Sequence, residues 1–186
     1  MVLNLPNALT WIRILAIPLV VVVFYLPVNW AGPASGLLFA LAGITDYFDG
    51  YLARRLGQTS RFGAFLDPVA DKLIVATALV LIVERDPQPY FAVVAAIIIG
   101  REITVSALRE WMSTIGERAQ VAVTIFAKWK TTVQIVGISM MLFEERLLGL
   151  PIYQIGMVLL FVAAALTILS MADYLRAAWP AIKNSS

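Results

Sequence analysis

The chain has 186 residues, of which 61% are apolar and 14% charged, and its mean hydropathy is +0.85. Soluble domains are only about 45–50% apolar, so this composition points to a bilayer as solvent. Cysteine and histidine are both absent and the net charge is only +2, which excludes disulfides, thiolate chemistry and an imidazole base and gives no reason to expect a nucleic-acid partner.

Apolar runs between breakers predict six spans, at 9–27, 34–54, 63–84, 89–112, 120–143 and 150–177. The punctuation is Pro27 with Asn29 to Pro33, then Gly57-Gln58-Thr59-Ser60, Asp86-Pro87-Gln88-Pro89, Thr114-Ile115-Gly116, and Gly149 to Pro151. A span takes about 20 residues, so six consume most of the chain and leave a single transmembrane catalytic domain over residues 1–186. Arg13 interrupts the first apolar run and no basic segment precedes it, which argues against a cleaved signal peptide.

Orientation follows from Lys and Arg. With a cytoplasmic N-terminus, twelve of the 14 basic residues fall on the cytoplasmic side, and only Arg85 and Arg146 fall on the other. This asymmetry predicts that both termini are cytoplasmic. Glu84, Asp86, Glu144 and Glu145 sit in the opposite loops, while the remaining eight acids share the cationic face. Charge is gathered at one end of an all-α bundle.

The second and third spans hold the most informative residues: Thr45-Asp46-Tyr47-Phe48-Asp49-Gly50-Tyr51-Leu52-Ala53-Arg54, then Gly63-Ala64-Phe65-Leu66-Asp67-Pro68-Val69-Ala70-Asp71-Lys72. At 100° per residue, Asp46 and Asp49 lie about 60° apart, with Gly50 and Ala53 within about 40° of Asp46. Gly63, Asp67 and Asp71 recur every fourth residue, on one face of the next helix. Four carboxylates on neighbouring antiparallel helices form a cage of hard oxygen ligands, suited to Mg²⁺ or Mn²⁺ and not to zinc. Pairing with Arg54, Arg55 and Lys72 is the plainer use of these acids, and a proton or ion transporter also carries intramembrane carboxylates. Neither reading explains small residues in register beside the acids. Gly50 and Ala53 would admit something flat and bulky such as a nucleotide, and two ions about 3.5–4 Å apart would bind a pyrophosphate for an in-line displacement.

These residues resemble the signature of the CDP-alcohol phosphotransferase family, D-x-x-D-G-x-x-A-R-(x8–9)-G-x-x-x-D-x-x-x-D. Asp46, Asp49, Gly50, Ala53, Arg54, Gly63, Asp67 and Asp71 fill every position. Three further segments resemble the family's bacterial glycerol-3-phosphate-using branch: Asn4 to Arg13, Arg101 to Arg109, and Lys128-Trp129-Lys130-Thr131-Thr132-Val133-Gln134. Ala127 stands where that branch commonly has glycine.

The resemblance implies a six-transmembrane-helix homodimer in the bacterial inner membrane, with a cytoplasm-facing active site. It implies transfer of a phosphatidyl group from CDP-diacylglycerol to sn-glycerol 3-phosphate, giving phosphatidylglycerol phosphate and CMP. Asp46, Asp49, Asp67 and Asp71 would hold two Mg²⁺ or Mn²⁺ ions. Asp71, one turn beyond Asp67, would also serve as general base. Gly50, Ala53, Arg54, Gly63 and Thr45 would receive CDP-diacylglycerol. Arg101 and Arg109, about 80° apart on one helix, are the first candidates for the phosphate of glycerol 3-phosphate, since an arginine fork suits a phosphate. Lys128, Lys130 and Ser106 follow. Snorkelling, or attraction to anionic lipid, is the plainer account of an isolated cation. A sibling enzyme using another alcohol, such as phosphatidylglycerol or inositol phosphate, stays open beside the transporter.

The five tryptophans, Trp11, Trp30, Trp111, Trp129 and Trp179, fall near span ends, as an interfacial belt requires. Gly137, Ser139 and Gly156 suit either close helix approach or plain packing, and no function is assigned to them.

Overall fold

The computed structural model describes residues 5–56, 61–114 and 125–184; side chains are described in these segments except at 5–9, 46–56, 61–62, 64, 125–128, 180–182 and 184. The described residues form α1 (Leu5–Phe24), α2 (Ala31–Leu56), α3 (Arg61–Arg85), α4 (Pro89–Thr114), α5 (Ile125–Phe143) and α6 (Ile152–Asn184). Each expected span coincides with one helix, but the ends differ. Helix α1 is described from Leu5, four residues before the expected start, and Pro6 near that end needs no N–H partner if it lies in a first turn. Helix α6 continues to Asn184. Its 33 residues rise about 50 Å at 1.5 Å each, longer than a hydrocarbon layer of about 30 Å.

The order of packing positions the site. Helix α1 packs on α2 and α3, α2 also on α5, α4 on α3 and α6, and α5 on α6. The core between them holds Val20, Phe39, Leu79, Phe91, Ile98, Ile138, Met141, Leu142 and Leu160. Glycine brings three of the helices close. A Cβ on Gly36 of α2 would stand 2.6 Å from the Ser139 carbonyl oxygen of α5. One on Gly156 of α6 would stand 2.8 Å from the Gly137 carbonyl oxygen of α5, so Gly137 and Gly156 do set a backbone-to-backbone contact.

Pro89–Thr114 and Ile152–Trp179 are long and apolar enough to cross a membrane, and Thr10–Phe24 and Ala31–Thr45 are shorter apolar stretches. Large apolar side chains such as Leu15, Leu41, Phe65, Val93, Ile103 and Leu169 point outward, as a lipid-facing surface does. All five tryptophans are exposed. The α5–α6 connection closes on Leu147 and Leu150, which bridge around Leu148 and Gly149, both at positive φ (53° and 82°). Two positive φ values in succession make the twist of a primed hairpin turn.

Candidate functional site

Helices α1 and α3 run side by side in the same direction and meet through two polar rungs. The Thr10 hydroxyl donates to Asp67 Oδ1, and the Arg13 guanidinium donates to Asp71 Oδ1. Thr10 and Arg13 are both only 1% exposed. A three-residue step on α1 and a four-residue step on α3 each amount to about one helical turn, so a single alignment of the two helices makes both contacts. The Asp71 side chain is 38% exposed, against 1% for Arg13, and opens into a cavity. Helix α3 continues through Pro68, which contributes no N–H to the turn holding Asp67.

The cavity measures about 230 Å³. Its polar lining is Arg13, Asp71, Lys72, Glu102, Thr131 and Gln134, and its apolar wall includes Phe39, Ala42, Gly43, Ile74, Val75 and Ile135. Glu102 is the hub of its α4 side. One carboxylate oxygen accepts from Lys130 Nζ and from Arg101 Nη1, each at 2.8 Å. Arg101 also reaches Ser170 of α6 at 3.4 Å. Lys130 is 3% exposed. A lysine buried to that degree requires a partner, and Glu102 supplies it.

The four signature aspartates lie on helices joined by a short connection. Asp49 stands seven residues before the end of α2 and Asp67 six after the start of α3, while Asp46 and Asp71 each stand ten from theirs. Asp46, Asp49 and Gly50 therefore share α2 at depths matching Asp67 and Asp71, with Ala53 and Arg54 nearer its end; their side chains, and that of Lys128, lie outside the described residues. Gly63 is buried on α3. The Thr45 hydroxyl is spent on the Ala42 carbonyl at 2.7 Å, and that of Ser106 on the Glu102 carbonyl at 2.7 Å.

Arg109 is exposed and donates to the Tyr174 hydroxyl at 3.2 Å, with its guanidinium 5.8 Å from the centre of the same ring. Both α4 arginines thus face α6, but eight residues of rise separate them by about 12 Å along the axis. Each has its own α6 partner, Ser170 or Tyr174.

Sequence reading gave no site role to Thr10, Arg13, Glu102 or Gln134. The signals were present: a threonine and an arginine one turn apart in an apolar run, and an acid next to Arg101. Their partners are remote in the chain and are brought together only by packing.

The model of one family, CDP-alcohol phosphatidyltransferase, matches residues 3–169. The chain belongs to that family. Similar proteins include the CDP-diacylglycerol–glycerol-3-phosphate 3-phosphatidyltransferases of Salmonella choleraesuis, 50% identical, and of Shigella flexneri and Escherichia coli, each 49% identical. Each alignment covers 94% of this chain and 94% of the relative. The CDP-alcohol phosphatidyltransferase family is generally divalent-metal dependent. Among the described residues no three acids come together to hold such an ion; Asp67 and Asp71 supply two oxygen donors of the kind it takes, one turn apart, and Asp71 opens to the cavity.

Proposed function

We propose that the chain transfers the phosphatidyl group of CDP-diacylglycerol to sn-glycerol 3-phosphate, releasing CMP. The observation that carries this reading is a small cavity at one end of the bundle, lined by signature acid Asp71, Arg13, Lys72 and Glu102, with Asp67 one turn from Asp71 and with Lys130 and Arg101 bonded to Glu102. The names of relatives that align over nearly the whole chain supply the acceptor. Six spans, cytoplasmic termini and an active site facing the cytoplasm of a bacterial inner membrane complete the reading, supported by twelve of the 14 cations falling at that end. We assign the working unit as a homodimer, in keeping with the family resemblance.

The residues divide the work by position. Asp46, Asp49, Asp67 and Asp71 would hold two Mg²⁺ or Mn²⁺ ions, and ions held there would supply charge neutralisation at the pyrophosphate and a more acidic acceptor hydroxyl. Gly50, Ala53 and Gly63 leave room for the nucleotide beside the acids, with Thr45 next to them and Arg54 toward its phosphates. Arg13 orients the Asp71 carboxylate toward the cavity. Asp71 takes the proton as the glycerol hydroxyl oxygen bonds to the phosphatidyl phosphorus and the bond from that phosphorus to the CMP oxygen breaks. Arg101 holds the acceptor phosphate and Arg109, about 12 Å further along α4 and on a separate α6 partner, draws it in, with Lys128, Lys130 and Ser106 beside them; Lys130 acts through Glu102, which also fixes Arg101.

Below the cavity the bundle is filled by Leu79, Phe91, Ile138, Met141 and Leu142. A closed apolar floor supports a chamber entered from one end over a conduction path. The test is an acceptor panel: purified protein, CDP-diacylglycerol and Mg²⁺ or Mn²⁺, with glycerol 3-phosphate, phosphatidylglycerol, inositol phosphate or serine. CMP release specific to glycerol 3-phosphate is expected. Release with another alcohol reassigns the acceptor, and release with none removes the reading.

A further inference from the structure

Gln134 is 4% exposed, and its Oε1 has no hydrogen-bond partner among the described residues. Buried side-chain polar atoms are nearly always paired, and an exception calls for a missing partner such as a ligand or an ordered water. Gln134 stands in the lining of the 230 Å³ cavity, with Thr131 one turn away on α5 and Asp71 contributed by α3. We infer that Gln134 is a specificity-determining residue that accepts a hydrogen bond from the unreacting C2 hydroxyl of the glycerol moiety. The inference rests on the phosphatidyl-transfer reading and goes beyond it to a hydroxyl subsite.

The chemistry of the vacant acceptor atom narrows what can complete it. A carboxamide oxygen needs a donor. An ionised phosphate offers only acceptors, so neither the acceptor phosphate nor the pyrophosphate can satisfy it. A polyol can. When one hydroxyl of a 1,2-diol lies against Asp71, the neighbouring hydroxyl is one carbon further into the same cavity. Phe39, Ile74 and Ile135 form the apolar part of the wall, and of the other acceptors in the lining Glu102 is already engaged by Lys130 and Arg101, and Asp71 by Arg13. At about 230 Å³ the cavity is below the roughly 300–1,000 Å³ of drug-sized pockets, which suits a small phosphorylated triol.

The test compares kcat/KM for sn-glycerol 3-phosphate and for 3-hydroxypropyl phosphate, which keeps the phosphate and the reacting hydroxyl but lacks the one at C2. The unaltered protein is expected to prefer glycerol 3-phosphate by about tenfold or more, since a site built around a hydroxyl rejects the analogue lacking it. In Gln134→Leu this ratio should fall to near one. Gln134→Asn, which withdraws the carboxamide by one methylene, should give an intermediate ratio and serves if the leucine variant does not fold. The KM for CDP-diacylglycerol, read in the same runs, should move far less than the acceptor ratio. An unaltered protein without the preference, or variants that keep it, overturns the inference and leaves Gln134 a packing residue served by water. If the unaltered protein transfers to neither acceptor, the phosphatidyl-transfer reading itself fails and the subsite falls with it.

Discussion

Asp67 and Asp71 each meet a partner 57 or 58 residues earlier in the chain, Thr10 and Arg13 respectively. The acids themselves are legible in the sequence because a fourfold spacing survives any packing of the helix that carries it. Their partners are not, because nothing in a single apolar helix says which neighbour its one arginine will face. Asp46→Asn, Asp49→Asn and Asp67→Asn should each reduce turnover to background while the protein remains extractable and folded. Removing one ligand charge weakens ion binding and relieves repulsion among the remaining acids. CMP release assays at saturating metal check this, and near-normal rates in any of the three would contradict the metal assignment. Arg13→Ala should lower kcat by more than tenfold with a smaller change in either KM, since its first effect is to unfasten Asp71 from α1. Arg13→Lys should recover part of the loss, because lysine keeps the charge and loses the planar fork. A KM effect alone would place Arg13 in substrate binding instead.

At the scale of the helices, six apolar runs with their breakers locate all six elements, and the errors are confined to their ends. Helix α1 reaches back to Leu5, and Pro6 near that end is harmless if it lies in a first turn. The far end of α6 runs past residue 177, where the expected span stops, and carries Lys183 there. Helix contacts are less legible, since a glycine in an apolar run looks the same whether it touches a neighbour or faces lipid. The structure separates the cases. A Cβ on Gly156 would meet α5 backbone at 2.8 Å and one on Gly137 would meet α6 backbone at 3.0 Å, whereas one on Gly100 meets nothing within 4 Å. Gly137→Val and Gly156→Val should therefore destabilise the fold by about 1–3 kcal/mol through overpacking. Gly100→Ala should stabilise it by up to about 1 kcal/mol, the difference in helix propensity. Thermal unfolding in detergent measures both, and the account requires opposite signs.

The whole molecule places its polar chemistry at two ends with an apolar core between them. At the end away from the aspartates, Arg85 pairs with Glu144 at 2.9 Å and the Tyr153 hydroxyl donates to Asp86 at 2.8 Å. These contacts join the ends of α3, α5 and α6 without entering the core. Because the chain has no native cysteine, single cysteines report its orientation without background. Lys183→Cys, exposed at the aspartate end, should react with an impermeant thiol reagent only from the cytoplasmic side. Leu148→Cys, at the 94%-exposed tip of the α5–α6 turn, should react only from outside. Labelling of both from one side would contradict an odd number of spans between the acids and that turn.

On the proposed reading, the carboxylates of α2 and α3 form one metal-dependent centre for phosphatidyl transfer. The most direct measurement is the product balance with and without chelator, using purified protein, CDP-diacylglycerol and glycerol 3-phosphate. Equal amounts of CMP and phosphatidylglycerol phosphate are predicted, both abolished by chelation and both restored by Mg²⁺ or Mn²⁺. CMP formed without the phosphatidyl product, or a yield indifferent to chelation, would contradict it.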